Sequence, residues 1–222
     1  MELHRRFILL FFASAAIASA AGTGHDYAKW EPEIAAYERA DTTNPPPKGA
    51  IEFIGSSTIR KWTTLAEDFP GRPVFNRGFG GSEIADSTHF APRVIFPYAP
   101  GMIFFRAGGN DLWSGKSPEQ VFADFKEFVK TVHARLPETK IIFISWSPTP
   151  SRWRQHEKEK TLNTLVADYI RGKPFLQYIE TYDLPLGADG RPRPELFEAD
   201  QLHFNAAGYK LLAERVRPFL PK

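Results

Sequence analysis

From residue 50 onward, short runs of apolar residues alternate with segments in which apolar residues recur at helical spacing. Short apolar runs predict strands at residues 50–54, 73–76, 101–106, 139–146 and 175–180. The unbroken runs at 102–105 and 141–144 are typical of strands buried on both faces of a parallel sheet. Because these strands alternate with helical segments, we expect an α/β fold, a three-layer α/β/α sandwich of flavodoxin-like type around a five-stranded parallel sheet.

Residues 117–136 show the clearest helical pattern. Ser117 stands at the N-cap position, Pro118 follows at the first helical position, and Gln120 completes a capping box. The apolar residues after them fall on one stripe, as in an amphipathic helix that packs on a core. Further helices are predicted at residues 25–40, 152–170 and 205–219, and Asn205 caps the last of them.

Residues 1–20 differ in kind from the rest of the chain. Arg5 and Arg6 precede an apolar run, residues 7–17, that is too short to cross a bilayer, and Ala18-Ser19-Ala20 forms an A-x-A cleavage site. We predict a secretory signal peptide that is cut after Ala20, and therefore a secreted or periplasmic protein. The alternative is an N-terminus that keeps the apolar run as a membrane anchor. Residues 21–49 would form an N-terminal helix and a proline-rich connector, and residues 50–222 the main domain.

Composition narrows the possible partners. The 222 residues carry a formal net charge of +2, and this near-balance argues against nucleic acid as a partner. No stretch after the N-terminus suits a membrane span, so we expect one soluble domain without stable membrane insertion. The chain has no cysteine, which excludes disulfides and leaves stability to the hydrophobic core.

Four polar segments follow predicted strands or precede the last helix. Ser56 and Ser57 follow the first strand, a glycine-rich loop at 76–83 follows the second, residues 107–113 follow the third, and residues 200–205 precede the last helix. The carboxyl ends of parallel strands meet at one edge of a sheet, so we expect these segments to lie close together. Taken alone, Ser56, Ser57 and Thr58 are more simply interpreted as helix caps.

The four segments together contain the groups that acyl transfer needs. Ser57 supplies a hydroxyl, and His203, preceded three residues earlier by Asp200, supplies a base with a carboxylate to orient it. The Ser57 N–H, the Gly81 N–H and the Asn110 amide could stabilise an oxyanion. Each of the other segments also has a simpler interpretation: His203 as a cap of the last helix, the glycine loop as a phosphate cradle, and Gly109-Asn110-Asp111 as a turn.

As a set, the four segments resemble the conserved blocks of the SGNH hydrolases, also called GDSL esterases or lipases. The resemblance runs from Ile51 to Phe219 and implies Ser57 as the nucleophile, Gly81 and Asn110 as oxyanion donors, and Asp200 and His203 as acid and base. It implies a serine esterase that requires no cofactor and no metal. One position departs from the pattern, because Ser56 stands where these proteins usually carry an aspartate.

Two rival functions remain. One is metal-assisted hydrolysis with Asp111, Asp200 and His203 as ligands, although a second histidine at ligand spacing is missing. The other is a non-catalytic carbohydrate-binding module that uses a rim of large side chains, namely Trp113, Trp146, Trp153 and Arg154.

The substrate is predicted only as a class. A secreted chain without an apolar lid favours acetyl or other short acyl esters of a carbohydrate or lipid alcohol, with a lysophospholipase or thioesterase activity as the alternative. Trp113, Trp153 and Arg154 are the residues we expect to contact the substrate. Residues 147–154 would form either a specificity loop or a proline-stiffened connector.

Overall fold

A computed structural model of the protein describes residues 25–221. The predicted signal peptide and its cleavage site after Ala20 lie outside the described residues. Within them, no helix has both the length and the apolar character needed to cross a membrane.

Five parallel strands form a single sheet with the order β2-β1-β3-β4-β5. The predicted five-stranded parallel sheet is therefore confirmed. Successive connections run outward in opposite directions from β1 and β3, and this change of direction opens a crevice at the carboxyl ends of those two strands. The strands are β1 Ile51–Gly55, β2 Val74–Gly78, β3 Met102–Arg106, β4 Lys140–Ile144 and β5 Leu176–Ile179.

Helices cover both faces of the sheet, which confirms the three-layer α/β/α architecture. The α-helices are α1 Glu31–Asp41, α2 Ser57–Arg60, α3 Leu65–Asp68, α4 Ile84–Val94, α5 Gly109–Trp113, α6 Pro118–Arg135, α7 His156–Ile170 and α8 Ala206–Val216. Buried side chains of α1, α4, α6 and α7 share one core, and those of α2 and α8 share the other with α3. Single 3-10 turns lie at Tyr27–Trp30, Trp153–Gln155, Pro194–Leu196 and Arg217–Phe219.

Adjacent residues of β3 show how the sheet divides the two cores. Phe104 stacks on Phe53 with ring centroids 4.6 Å apart, whereas Phe105 stacks on Phe128 of α6 at 4.0 Å. Consecutive side chains of a strand point to opposite faces, so an unbroken apolar strand serves both cores at once. All four rings are fully buried.

The helix caps read from the sequence are present. The Ser117 hydroxyl accepts a hydrogen bond from the Gln120 N–H, and the Gln120 side chain accepts one from the Ser117 N–H. Asn205 accepts hydrogen bonds from the N–H groups of Ala207 and Gly208, as the cap of α8 should.

The fourth strand is shorter than the sequence pattern predicts. β4 ends at Ile144 rather than at residue 146, because the backbone of Trp146 pairs with a side chain instead of a strand. Asn163 of α7 accepts the Trp146 N–H and donates to the Trp146 carbonyl, both at 2.9 Å. The chain thus leaves the sheet early and turns over its carboxyl edge.

Candidate active site

The turn after β1 can be built only around a glycine. Gly55 has a φ of +145°, and a Cβ at this position would lie 2.0 Å from the Arg106 carbonyl oxygen. The Ser56 N–H donates to that same oxygen at 3.0 Å, and α2 begins at the next residue, Ser57. The side chain of Ser56 is buried and accepts no capping hydrogen bond, so capping does not explain this serine.

Three side chains from distant parts of the chain are joined by hydrogen bonds. The Ser57 Oγ lies 2.9 Å from His203 Nε2, and His203 Nδ1 lies 2.6 Å from Asp200 Oδ2. A carboxylate only accepts, so Nδ1 carries the proton and Nε2 is free to accept the proton of the Ser57 hydroxyl. The arrangement meets the geometric requirement for a serine activated by a histidine base.

Asp200 is held in its charged form by its own loop. Its Oδ1 accepts hydrogen bonds from the N–H groups of Leu202 and His203, each at 3.0 Å. Partial burial raises the pKa of Asp200, but the hydrogen bonds from His203 and Leu202 outweigh it and keep the pKa well below its usual range. Gln201 takes a φ of +53° to close this tight turn. Asp200 therefore remains an acceptor for His203 at any pH at which the protein would work.

Asn110 lies in the first turn of α5, beside the same pocket as Ser57 and His203. Its Nδ2 donates to the Ser82 carbonyl at 2.9 Å, and its Oδ1 accepts from Arg152 Nη1 at 2.9 Å. An amide nitrogen carries two hydrogens, so one N–H is left for a substrate oxygen.

Gly81 belongs to the loop that follows β2. The loop is tied to the end of β1, since the Phe79 N–H donates to the Gly55 carbonyl at 2.9 Å. Gly81 has a φ of +76°, and its N–H has no hydrogen-bond acceptor within residues 25–221. Gly81 does not itself line the pocket that contains Ser57. The Ser82 carbonyl, one residue further on, provides the link to Asn110.

A small polar pocket opens beside the Ser57 hydroxyl. Its volume is about 40 Å³. Arg106, only 2% exposed, lies in its wall and donates to the Ser147 hydroxyl at 2.9 Å. Burial raises the pKa of Glu159, also in the wall, to about 7, against a hydrogen bond from Gln155 and the charges of two arginines.

A comparison with protein families identifies the chain. The model of the GDSL-like lipase/acylhydrolase family matches residues 54–211, which is more than half of the chain. The chain belongs to this family. It is a serine-dependent ester hydrolase, and the resemblance seen in the four sequence segments is confirmed.

Solved structures share the fold of this GDSL-like hydrolase. A Streptococcus pneumonia protein provisionally described as a platelet activating factor is 21% identical, with a TM-score of 0.78 over 88% of this chain and 94% of its own. A provisionally assigned acylhydrolase from Bacteroides fragilis is 19% identical, with a TM-score of 0.71 over 82% and 93% of the two chains. A GDSL-like lipase from Bacteroides thetaiotaomicron is 18% identical, with a TM-score of 0.68 over 87% and 96%. No curated protein matches the sequence.

The metal-binding alternative finds no support in the geometry of the hydrolase. Residues 25–221 contain no group of three or more histidine, cysteine, aspartate or glutamate side chains arranged to hold a metal ion. Asp111, one of the three ligands considered, is fully buried and accepts from the Ile84 N–H at the start of α4. Its carboxylate also pairs with Lys116 at 3.2 Å. Asp111 therefore joins α5 to α4.

Two of the aromatic residues proposed for a carbohydrate rim, Trp113 and Trp153, lie outside the pocket, whereas Trp146 lies in its wall. Trp113 is 40% exposed, and the Arg154 guanidinium lies 4.0 Å from the centre of its ring. Trp153 stacks on His156 with ring centroids 4.0 Å apart. Trp146 differs, because it is buried and its indole N–H donates to the Ala107 carbonyl. Trp146 cannot therefore belong to an exposed rim.

Lys61 is a charged neighbour of His203 and Asp200 that the sequence pattern did not reveal. Its Nζ lies 3.1 Å from His203 Nδ1 and 3.7 Å from Asp200 Oδ2. Nδ1 already carries the proton that it donates to Asp200, so Lys61 acts on this pair through its charge. The sequence pattern did not reveal Arg106 and Glu159 as pocket residues either. Arg106 could have been found, because it is a charged residue at the end of the otherwise apolar strand β3.

Proposed function

We propose that the protein hydrolyses short acyl esters, acetyl esters foremost, of a carbohydrate or lipid alcohol, and that Ser57, His203 and Asp200 form its catalytic triad. The continuous hydrogen-bonded path from Ser57 Oγ through the His203 ring to Asp200 Oδ2 carries this proposal. Membership of the GDSL-like family supports ester hydrolysis in general.

Acylation follows from these contacts. Ser57 Oγ attacks the acyl carbon while His203 Nε2 takes the hydroxyl proton, and the carbonyl electrons move onto the ester oxygen. The Ser57 N–H and the free N–H of the Asn110 amide, which both lie beside the pocket, stabilise that oxyanion. The Gly81 N–H, in the neighbouring loop after β2, is kept as a proposed third donor. When the tetrahedral intermediate collapses, the ester C–O bond breaks, and His203 gives its proton to the departing alcohol.

Deacylation repeats the same steps with water as the nucleophile. His203 Nε2 removes a proton from water, whose oxygen attacks the acyl carbon of the Ser57 ester. Collapse of the second intermediate returns the proton to Ser57 Oγ and releases the carboxylic acid. Throughout, the ionised Asp200 stabilises the protonated His203 ring through the 2.6 Å contact.

The size of the pocket beside Ser57 supports an acetyl group. Its volume of about 40 Å³ is far below the roughly 300–1,000 Å³ of pockets for drug-sized ligands, and an acetyl group has only three non-hydrogen atoms. A long acyl chain would need an apolar surface. Within residues 25–221, Trp113 is the one large hydrophobic side chain that is substantially exposed. This favours short acyl groups over the lysophospholipase and thioesterase alternatives.

The alcohol part of the substrate would extend towards the surface around α5 and the 3-10 turn at Trp153–Gln155. Trp113 offers an aromatic face there, and Arg154 next to it offers hydrogen-bond donors. Aromatic faces and guanidinium groups are suited to sugar rings and their hydroxyls. We keep Trp113, Trp153 and Arg154 as proposed contacts to the alcohol. The signal-like residues 1–20 support a secreted or periplasmic enzyme that meets such esters outside the cytoplasm.

Two adjacent serines allow a matched test of the nucleophile. Turnover of p-nitrophenyl acetate by Ser57→Ala should fall to near the uncatalysed rate, because no hydroxyl remains beside His203 Nε2. Ser56→Ala should keep most of the activity, because the hydroxyl that meets His203 Nε2 belongs to Ser57. Circular dichroism would verify that both variants fold. Wild-type kcat in Ser57→Ala would refute the proposal.

A further inference from the structure

Both polar atoms of the Asn110 side-chain amide form hydrogen bonds, the oxygen as an acceptor and the nitrogen as a donor. Its Oδ1 accepts a hydrogen bond from Arg152 Nη1, and its Nδ2 donates one to the Ser82 carbonyl, each at 2.9 Å. Asn110 lies on α5, Arg152 in the loop after β4, and Ser82 in the loop after β2. Three segments that are remote in sequence therefore meet at one amide group.

Arg152 decides which way this amide faces. A guanidinium group has donors and no acceptor, and a carbonyl oxygen only accepts. In the opposite orientation, Nδ2 would face the donors of Arg152 and Oδ1 would face the Ser82 carbonyl, so both hydrogen bonds would be replaced by repulsive contacts. The observed orientation turns the nitrogen, with its second N–H, away from Arg152.

Arg152 is itself fixed by its surroundings. Its Nη1 also lies 3.4 Å from the Gly109 carbonyl, and its guanidinium lies 4.9 Å from the centre of the Trp113 ring. Gln155, in the following turn, approaches the same Gly109 carbonyl at 3.5 Å. The loop after β4 thus contacts both the backbone and the side chain at the start of α5.

We propose that Arg152 is a positioning residue that orients the Asn110 amide as an oxyanion donor. The inference rests on the proposed function, because it requires Asn110 to contact the developing oxyanion. A donor that points correctly before the reaction contributes to the transition state more than to ground-state binding. Loss of Arg152 therefore lowers kcat and leaves KM for a small ester nearly unchanged.

A double-mutant cycle on p-nitrophenyl acetate tests the inference. Arg152→Met removes every donor and keeps an unbranched side chain. In the wild-type background it should lower kcat by roughly ten- to a hundredfold, less than the loss of a whole oxyanion donor. In the Asn110→Ala background the same substitution should change kcat by less than about threefold, because its target is absent.

Two control variants separate the positioning role of Arg152 from a general effect of removing an arginine. Arg171→Met makes the same chemical change at an exposed arginine that pairs with Asp168 at the end of α7, and should leave kcat and KM unchanged. Arg152→Lys, which keeps one donor group, should restore part of the kcat lost in Arg152→Met. Urea unfolding would verify that all variants are folded at the assay temperature.

Three outcomes would overturn the inference. They are an equal loss of kcat in both backgrounds of the cycle, a rise in KM with kcat unchanged, and wild-type activity in Arg152→Met. If Ser57→Ala is inactive in the same assays, any of these results rejects the role of Arg152 alone. Activity of Ser57→Ala would instead reject the proposed function.

Discussion

Asp200 holds His203 at two points. Its Oδ2 accepts from the ring Nδ1 at 2.6 Å, and its Oδ1 accepts from the backbone N–H of the same residue at 3.0 Å. One carboxylate therefore sets both the position of the loop and the rotation of the imidazole. The ring is turned so that Nε2 meets the Ser57 hydroxyl, 146 residues earlier in the chain.

Replacement of Asp200 by asparagine tests this dual contact. Asp200→Asn keeps an oxygen for the loop N–H groups but removes the negative charge that stabilises protonated His203. We expect kcat for p-nitrophenyl acetate to fall by roughly 10²- to 10⁴-fold, with little change in KM. Asp189→Asn is a matched control, because Asp189 also accepts a backbone N–H in an exposed turn. A loss of less than about threefold in Asp200→Asn would contradict the role given to Asp200.

Glu52 makes the stability of the protein depend on pH. It is fully buried in β1, and neither carboxylate oxygen has a hydrogen-bond partner among residues 25–221. Burial raises its pKa well above the ordinary value of 4.5, although the charge of Arg77 opposes the shift. The folded protein therefore keeps this proton at pH values at which the unfolded chain loses it. The stabilisation is complete below about pH 4.5 and is lost as the pH rises through the folded-state pKa.

The variant Glu52→Gln removes this ionisation. The free energy of unfolding of the variant should rise relative to that of the wild type between pH 5 and pH 9, by about 1.4 kcal/mol for each unit of pKa shift. Urea titrations of both proteins at several pH values would measure the difference. For Glu67→Gln, at an exposed glutamate of α3, the plot of unfolding free energy against pH should run parallel to that of the wild type. If the plot for Glu52→Gln is also parallel to the wild-type plot, Glu52 is charged in the folded state.

The small pocket predicts a sharp dependence on acyl chain length. The kcat/KM for p-nitrophenyl octanoate should lie roughly a hundredfold or more below that for the acetate, because the longer chain does not fit beside Ser57. Leu202→Ala removes apolar volume from the pocket wall and should shift the preference towards longer chains. If the wild type hydrolyses octanoate as fast as acetate, the acyl chain binds outside this pocket. Acetylated sugars assayed beside these esters would test the proposed alcohol.

The sheet and its candidate site were predictable because their signals are local. Apolar strands such as β3, with Phe104 and Phe105, are recognisable on their own, and a parallel sheet brings the ends of such strands to one edge. That reasoning was enough to predict that Ser57, Asn110 and His203 would lie together. It also identified the N-caps Ser117 and Asn205, whose capping hydrogen bonds reach no further than the third residue after each cap.

Contacts that depend on irregular loops were not predictable. Arg152 meets Asn110 only because the chain leaves β4 at Ile144 and Asn163 binds the backbone of Trp146, and no periodic pattern encodes that path. Lys61 follows the single helical turn α2, so its distance from Asp200 depends on how the loop that carries Asp200 folds back.

Covalent labelling of the nucleophile tests the central claim most directly. An organophosphate such as diethyl p-nitrophenyl phosphate reacts with a serine that a histidine base activates, and forms a stable phosphoryl ester. After complete inactivation, peptide mass spectrometry should find one diethylphosphoryl group per chain, attached to Ser57. Its attachment to Ser56 or to another residue, with Ser57 unmodified in the inactivated protein, would contradict the account.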